Sequence, residues 1–355
     1  MKKSLLLAIA AVCGLAGVQK MAAKNELYAV LSSDKTTVTF YYDSQRSSNG
    51  GSTNWGMDLY AGCESKITSV TLTTSVKEAR PTTGYHFFYN LYNLTEINNL
   101  DYLNTSEMTN MEKMFYNCAK LTSINLSGFS TSKVQTMSNM FNNCRGVESL
   151  DLTAFNTDNV TSMAGMFYNC LALTTIKVNT QFNTGEVKDM SNMFSGCVKL
   201  DISELVKDFN TSNVTDMASM FSGCEALTSL DLRGWEMDNV TKTNSMFNGC
   251  SNLTTIHCDN DYSSSFTSST NMFSGCTSLQ GNKGTSYTAE HVDASYAHPD
   301  GGTGAPGYFT SQKATGIEGY QVGDTEYSVQ KVLRNGQLFI HRDDKTYTAQ
   351  GQEVK

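Results

Sequence analysis

Seven times between Met114 and Cys276 the chain repeats the phrase Met-Phe-x-x-Cys, with cysteines at Cys118, Cys144, Cys170, Cys197, Cys224, Cys250 and Cys276. The spacings are 26, 26, 27, 27, 26 and 26 residues. A period of that length belongs to stacked-coil architectures, in which one repeat cannot bury its own apolar face. The array is therefore the folding unit, and its long side is the natural functional surface.

Two apolar periods alternate inside a coil. In Asn213–Phe221, the residues Val214, Met217, Met220 and Phe221 recur at helical spacing. Asn213 is placed to cap such a helix, Asp216 to stand at its third position and Gly223 to stop it. The segment then changes to Leu227, Leu230 and Leu232, the Leu-x-x-Leu-x-Leu form of a short repeat strand. Leu121, Ile124 and Leu126 repeat it, as do Val147, Leu150 and Leu152, and Leu173, Ile176 and Val178. An aromatic follows (Phe129, Phe155, Phe182, Phe209 or Trp235), usually with an Asn/Ser-Thr pair behind it. The expected fold is a leucine-rich-repeat solenoid of about 26-residue coils, each a short parallel strand plus a short helix, flanked by small β segments.

Five segments are expected. Residues 1–22 read as a signal peptide, because Lys2 and Lys3 precede an apolar run and small residues follow at Ala22 and Ala23. Removing it takes Lys2, Lys3 and Lys20 and moves the formal charge from −8 to about −11. Residues 24–54 form a β hairpin around Ser32-Ser33-Asp34-Lys35 and a polar bridge. The solenoid takes residues 55–280, with Phe88-Tyr89-Asn90-Leu91 as a forerunner coil and Leu59 to Cys63 as a more degenerate one. Residues 281–315 are a capping and linker segment, in which the glycine-rich run 300–307 reads as linker. Residues 316–355 form a small C-terminal β module with Asn335-Gly336 as a type I′ turn. The fifth coil departs from the metre at Leu200 to Phe209, where a bulge or loop excursion is expected, and the seventh, with Ser269 for the first methionine, ends the array.

Composition narrows the function. A formal charge of −8 with 17% charged residues provides no basic field, so nucleic acid is not an expected partner. No segment beyond the signal has the eighteen or so consecutive apolar residues that span a membrane. The 17 methionines sit at repeat positions and read as core filler. Ten cysteines, less Cys13 in the leader, leave nine, an odd number recurring at one phase; buried free thiols are favoured over the adjacent-coil disulfides that coil spacing would permit. Cys13 lacks the small preceding residue of a lipidation site, since Val12 stands there. No Cys-x-x-Cys pair or histidine ligand spacing suggests zinc, and no cofactor is expected. An enzyme is not expected either. Asp151 and Asp231 occupy equivalent places three coils apart, about 14 Å at roughly 4.8 Å per coil, beyond the separation of about 10 Å usable by a glycosidase pair.

Phe209-Asn210-Thr211-Ser212-Asn213-Val214-Thr215-Asp216-Met217, with Met220-Phe221 and Cys224 through Leu232, resembles the repeat of the BspA-like leucine-rich repeat surface proteins. The resemblance covers about residues 88–310. It implies an exported protein, secreted or on the outer-membrane exterior, that binds host or bacterial proteins or glycans as an adhesin. The tail from Asn335 to Val354 is similar to the C-terminal sorting modules of Bacteroides-type secreted proteins. If the strand face binds, its ligand-facing residues are Thr122, Ser123, Asn125, Glu148, Ser149, Asp151, Thr228, Ser229 and Asp231, between the buried leucines. Thr174, Thr175, Lys177, Thr254, Thr255 and His257 extend the same ribbon, which is expected to run continuously across the coils. The other readings are a non-binding spacer that holds another component away from the membrane and, less favoured, a hydrolase.

Overall fold

The computed structural model describes residues 24–53, 59–301 and 305–311, and the strand residues 329–334, 337–342, 345–348 and 353–354. The expected signal peptide and the Asn335-Gly336 turn lie outside them. Two compact units divide the chain, Met1–Gln312 and Lys313–Lys355.

In the first unit an antiparallel hairpin opens the fold: β1 (Glu26–Leu31) pairs with β2 (Thr37–Asp43), from Glu26↔Asp43 to Leu31↔Val38. Asp34 accepts from the Thr36 amide and from the Ser32 and Thr36 hydroxyls, which closes the Ser-Ser-Asp-Lys turn. The hairpin is continuous with the coils, because β2 pairs in parallel with β3 (Ser69–Leu72), and β3 with β4 (Glu96–Asn98). Further along, β5 (Ser149–Asp151) and β6 (Thr175–Lys177) form one parallel pair. β7 (Ser229–Asp231), β8 (Thr255–His257) and β9 (Phe309–Thr310) form a parallel three-stranded sheet. The last strand comes from the segment read as linker. There the buried Asp300 carboxylate accepts from the Lys283, Thr285 and Gly307 amides and the Thr285 hydroxyl, and so ties the closing loops together.

The helix expected in each coil is absent. From Met217 to Cys224 the amides alternate between two destinations. Met217, Ser219, Phe221 and Gly223 donate to the carbonyls of Lys242, Asn244, Met246 and Asn248 in the next coil. Met220, Ser222 and Cys224 donate three residues back, to Met217, Ser219 and Phe221. An α-helix would send every amide four residues back within its own segment. Here half of them hold the stack together.

Backbone angles explain why the helix cannot form. Ser219 and Gly223 lie in the left-handed region, at φ 56° and 71°, and a pair four residues apart recurs in the other coils, as Asn139/Asn143, Gly165/Asn169, Asn192/Gly196, Ser245/Gly249 and Asn271/Gly275. Asn and Gly tolerate this conformation best, which accounts for the Asn or Gly before each cysteine of the seven phrases. At Gly196 a Cβ would also lie 2.2 Å from Asn169 Oδ1 of the preceding coil. The three-residue apolar spacing that suggested a helix is the spacing of successive turns. Asn213 caps nothing: its side-chain amide donates to the Gly185 carbonyl at 2.6 Å, and Asp216 accepts from the Ala218 amide at 3.0 Å.

Four further columns run through the stack in register. Phe115, Phe141, Phe167, Phe194, Phe221, Phe247 and Phe273 are buried and nearly parallel, with successive centroids 5.5–6.1 Å apart. Each repeat thiol donates to the carbonyl of a phenylalanine in the coil before it, for example Cys144 to Phe115 at 3.1 Å and Cys250 to Phe221 at 3.0 Å. Most of these carbonyls also accept the amide of the cysteine in their own coil, as Phe115 does from Cys118 at 3.2 Å, so the thiol is a small apolar group that adds a second, weak donor from the next coil. The Thr of the Asn/Ser-Thr pair is the third column. Buried Thr131 donates to the Asn156 carbonyl at 2.7 Å and accepts from the Asn156 amide at 2.8 Å, and Thr105 and Thr211 repeat the pattern. The fourth is an uninterrupted run of parallel bridges, Thr83↔Asn110↔Thr136↔Ser162↔Asp189↔Asp216↔Lys242↔Ser268.

The fifth coil accommodates its extra residues as one helical turn, α1 (Ser203–Val206). Trp235 Nε1 of the following coil donates to the Val206 carbonyl at 3.1 Å, so the excursion is packed rather than free. The second unit is an antiparallel sheet in the order β10 (Val329–Arg334), β11 (Gln337–Arg342), β12 (Lys345–Thr348) and β13 (Glu353–Val354). Arg334 pairs with Gln337 across the two-residue connection.

Two outcomes follow from these columns. Thr131→Val removes both hydroxyl bonds while keeping shape, and denaturant unfolding should show a loss of about 1–3 kcal/mol; an unchanged midpoint would deny the column a structural role. All nine described cysteines are buried thiols, and burial pushes Cys144, Cys197 and Cys250 from an ordinary 9.0 up to about 12. Above pH 9 the unfolded chain loses thiol protons that the folded chain keeps, so stability is full below about pH 9 and falls as pH rises towards about 12. Native protein should accordingly resist thiol reagents at pH 8, whereas the denatured, unreduced chain should titrate nine thiols over the same residues.

Candidate ligand-binding surface

The strand face is built by the alternation that buries Leu150 and Leu230 and turns their neighbours outward. Thr122, Ser123, Asn125, Glu148, Ser149, Asp151 and Thr228 are exposed, and Ser229 and Asp231 are half-buried. The face is not one ribbon. Thr122, Ser123 and Asn125 lie in irregular backbone between β4 and β5, although the Thr122 carbonyl accepts from the Glu148 amide at 3.3 Å. In the fifth coil, where the next strand would stand, the chain makes α1 instead, and β6 and β7 belong to separate sheets. The structure thus brings Glu148, Ser149 and Asp151 beside Thr174, Thr175 and Lys177, and brings Thr228, Ser229 and Asp231 beside Thr254, Thr255 and His257.

Three of the nine residues are engaged in holding the chain. Asp151 accepts from the Thr153 amide at 3.1 Å and hydroxyl at 2.6 Å, and Asn125 accepts in the same way from Ser127. Asp231 accepts from the Arg233 amide at 3.0 Å and forms an ion pair with its guanidinium at 2.5 Å. In each case the side chain closes the turn that follows it, which for Asp151 and Asp231 is the turn that ends the strand. The Thr153 hydroxyl holds the Asp151 carboxyl below its usual range, and the Arg233 side chain does the same for Asp231. A carboxylate so occupied is a structural clamp before it is a ligand contact. The leucine-strand pattern alone does not carry this information, but a signal was present: an Asx residue recurs two positions before Ser127, Thr153, Gln181 and Arg233.

At the last coil the strand face meets a shallow depression of about 480 Å³, lined by Thr254, Thr255, Ser278, Gln280, Asn282 and Thr310 among others. These are hydroxyl and amide groups without formal charge. Among the described residues no cluster of three or more His, Cys, Asp or Glu is arranged to hold a metal ion. No helix among them is long and apolar enough to cross a membrane.

A second group of side chains was not singled out in the sequence. Tyr85, His86, Tyr89 and Tyr116 form a ring stack on the face made by the turn segments, with centroids 3.7 Å apart for Tyr85–His86, 4.2 Å for His86–Tyr89 and 5.1 Å for Tyr89–Tyr116. Tyr85 occupies the slot that holds Ser138, Ala164, Ser191 and Ala218 in other coils, and aligning the repeats column by column would have exposed it.

These features define a repeat protein of coils stacked by backbone bonds on two faces. The chain belongs to the family described as Mycoplasma protein of unknown function, DUF285, whose model matches residues 84–179 and 172–287, more than half of the 355 residues. It is also similar to the crystal structure of a leucine-rich cell surface protein from Faecalibacterium prausnitzii A2-165, at 17% identity over 71% of this chain and 92% of that one, with a TM-score of 0.30. A search of curated proteins found no match.

If Asp151 serves its turn, Asp151→Ala should lower the thermal midpoint whereas Ser149→Ala, two residues away on the same strand, should leave it unchanged; equal midpoints for the two variants in differential scanning fluorimetry would show that the clamp is dispensable.

Proposed function

We propose that this chain is an exported surface protein of leucine-rich-repeat solenoid type that binds a host or bacterial protein or glycan, as an adhesin does, without catalysing a reaction. The observation that carries the reading is the junction of the β7–β8 strand face with the uncharged depression. Thr228, Ser229, Thr254 and Thr255 lie side by side there; the Thr254 hydroxyl donates to the Thr228 carbonyl at 2.9 Å, and none of the four closes a turn as Asp231 does. Hydroxyl and amide groups at half-exposed positions suit a ligand that forms many separate hydrogen bonds, such as an extended polypeptide or an oligosaccharide.

Glu148, Ser149, Thr174 and Thr175 make a second patch on the far side of α1, and Thr122 with Ser123 extends it. Because the helical turn interrupts the strands, the two patches act as separate contacts rather than one groove. Export is supported by Lys2 and Lys3 before the apolar run, and the BspA-like resemblance of the repeat supports a surface location. The small sheet β10–β13 then serves as a sorting or attachment element, in keeping with the likeness of its sequence to such modules.

The test is a quadruple variant, Thr228→Ala, Ser229→Ala, Thr254→Ala and Thr255→Ala, compared with wild type on arrays of matrix proteins and glycans. Loss of at least one wild-type signal with an unaltered unfolding midpoint is the expected result. Survival of every signal removes this patch as the site, and the absence of any saturable ligand favours the spacer reading.

A further inference from the structure

We propose that the Tyr85–His86–Tyr89–Tyr116 stack is a second binding site, a platform for the ring of a neutral sugar, on the turn face of the first coils and separate from the strand face. Tyr85 is 44% exposed, and it and Tyr92 are the exposed large hydrophobic side chains among the described residues. One face of the Tyr85 ring rests on His86, whose imidazole is itself against Tyr89. The platform is therefore fixed before a ligand arrives, which reduces the ordering cost of binding.

His86 is the unusual member. It is 8% exposed and its buried Nε2 has no hydrogen-bond partner, while its φ of 59° is that of the same slot in the other coils, as at Lys113 and Asn139. Such an orphaned buried nitrogen calls for an explanation. Backing an exposed aromatic ring supplies one, since an imidazole stacks flat where an asparagine, as in Asn139 at the same slot, cannot. Burial lowers the His86 pKa and Lys113 acts in the same direction, against the opposing pull of Glu112.

The surroundings select the class of ligand. In the adjoining coil, Glu112 and Lys113 pair at 2.7 Å with both side chains about 30% exposed, and the His86 amide donates to the Glu112 carbonyl. One exposed ring beside fixed polar groups matches a pyranose, which offers an apolar C–H face and a rim of hydroxyls. Among the described residues Tyr85 and Tyr92 are the exposed large apolar side chains, too few to cover an acyl chain or an apolar peptide helix. The overall charge of −8 disfavours an anionic sugar.

Calorimetric titration of the full chain with maltotriose, cellotriose and N-acetylchitotriose tests this. At least one should bind saturably to wild type. Tyr85→Ala should weaken that binding by about tenfold or more, Tyr85→Trp should retain it, and Tyr92→Ala and the quadruple strand-face variant should leave it in place. Thermal unfolding establishes that Tyr85→Ala is folded, and Tyr85→Leu, which keeps apolar bulk without a ring, gives the same comparison if it is not. Absence of saturable binding by all three sugars, or equal affinity in wild type and Tyr85→Ala, overturns the proposal. Loss in the strand-face variant alone overturns it too, and assigns the sugar to the other surface.

Discussion

The stack depends on a division of backbone hydrogen bonds within each turn segment. Of the amides between Met217 and Cys224, alternate ones donate to the next coil and the others close turns in their own. Neither set suffices alone, because the turns by themselves satisfy only half the segment and the outward bonds need a neighbour in register. Once two coils are joined in this way, Phe194 is set over Phe221, Cys224 beneath the Phe194 carbonyl, and Thr211 against Glu236. The side-chain columns are consequences of that register, and together they make it the one arrangement in which buried polar groups find partners.

This explains why methionine, phenylalanine and cysteine recur while the solvent side varies. A stack repeats its interior geometry at every coil, so a residue that fits once fits everywhere, and a change of volume would displace both neighbours. Tyr85 in place of a small residue and α1 in place of a strand occur where the backbone ladder is indifferent to the side chain or has been interrupted. Binding surfaces are accordingly expected at departures from the repeat, and both proposed sites lie at such places: one beside the closing loops and one on the first coils.

Much of the fold was legible. The period, the buried positions and the interior place of the thiols follow from the spacing of Val214, Met217, Met220, Phe221 and Cys224, and all five are buried. The helix was misread because overlapping turns and an α-helix both place apolar residues about three apart. Local spacing does not reveal whether an amide bonds inside its segment or outside it. The decisive sign was the Asn or Gly before each cysteine, which marks a left-handed residue in the middle of a supposed helix. On the strand face Thr228 is exposed and Ser229 half-buried, and the role of Asp231 depends on where Arg233 lies.

The sequence by itself determined the repeat length, the composition of the core and the family, because these are properties of residue order along one chain. Only the tertiary structure decided that the amides of one coil bond to the next, that the strand face is interrupted at α1, and that Tyr85, His86, Tyr89 and Tyr116 come into one stack. The physical reason is that each of these joins groups from different coils or turns on how a coil is threaded. Residues about 26 positions apart become neighbours only when the register of stacking is fixed.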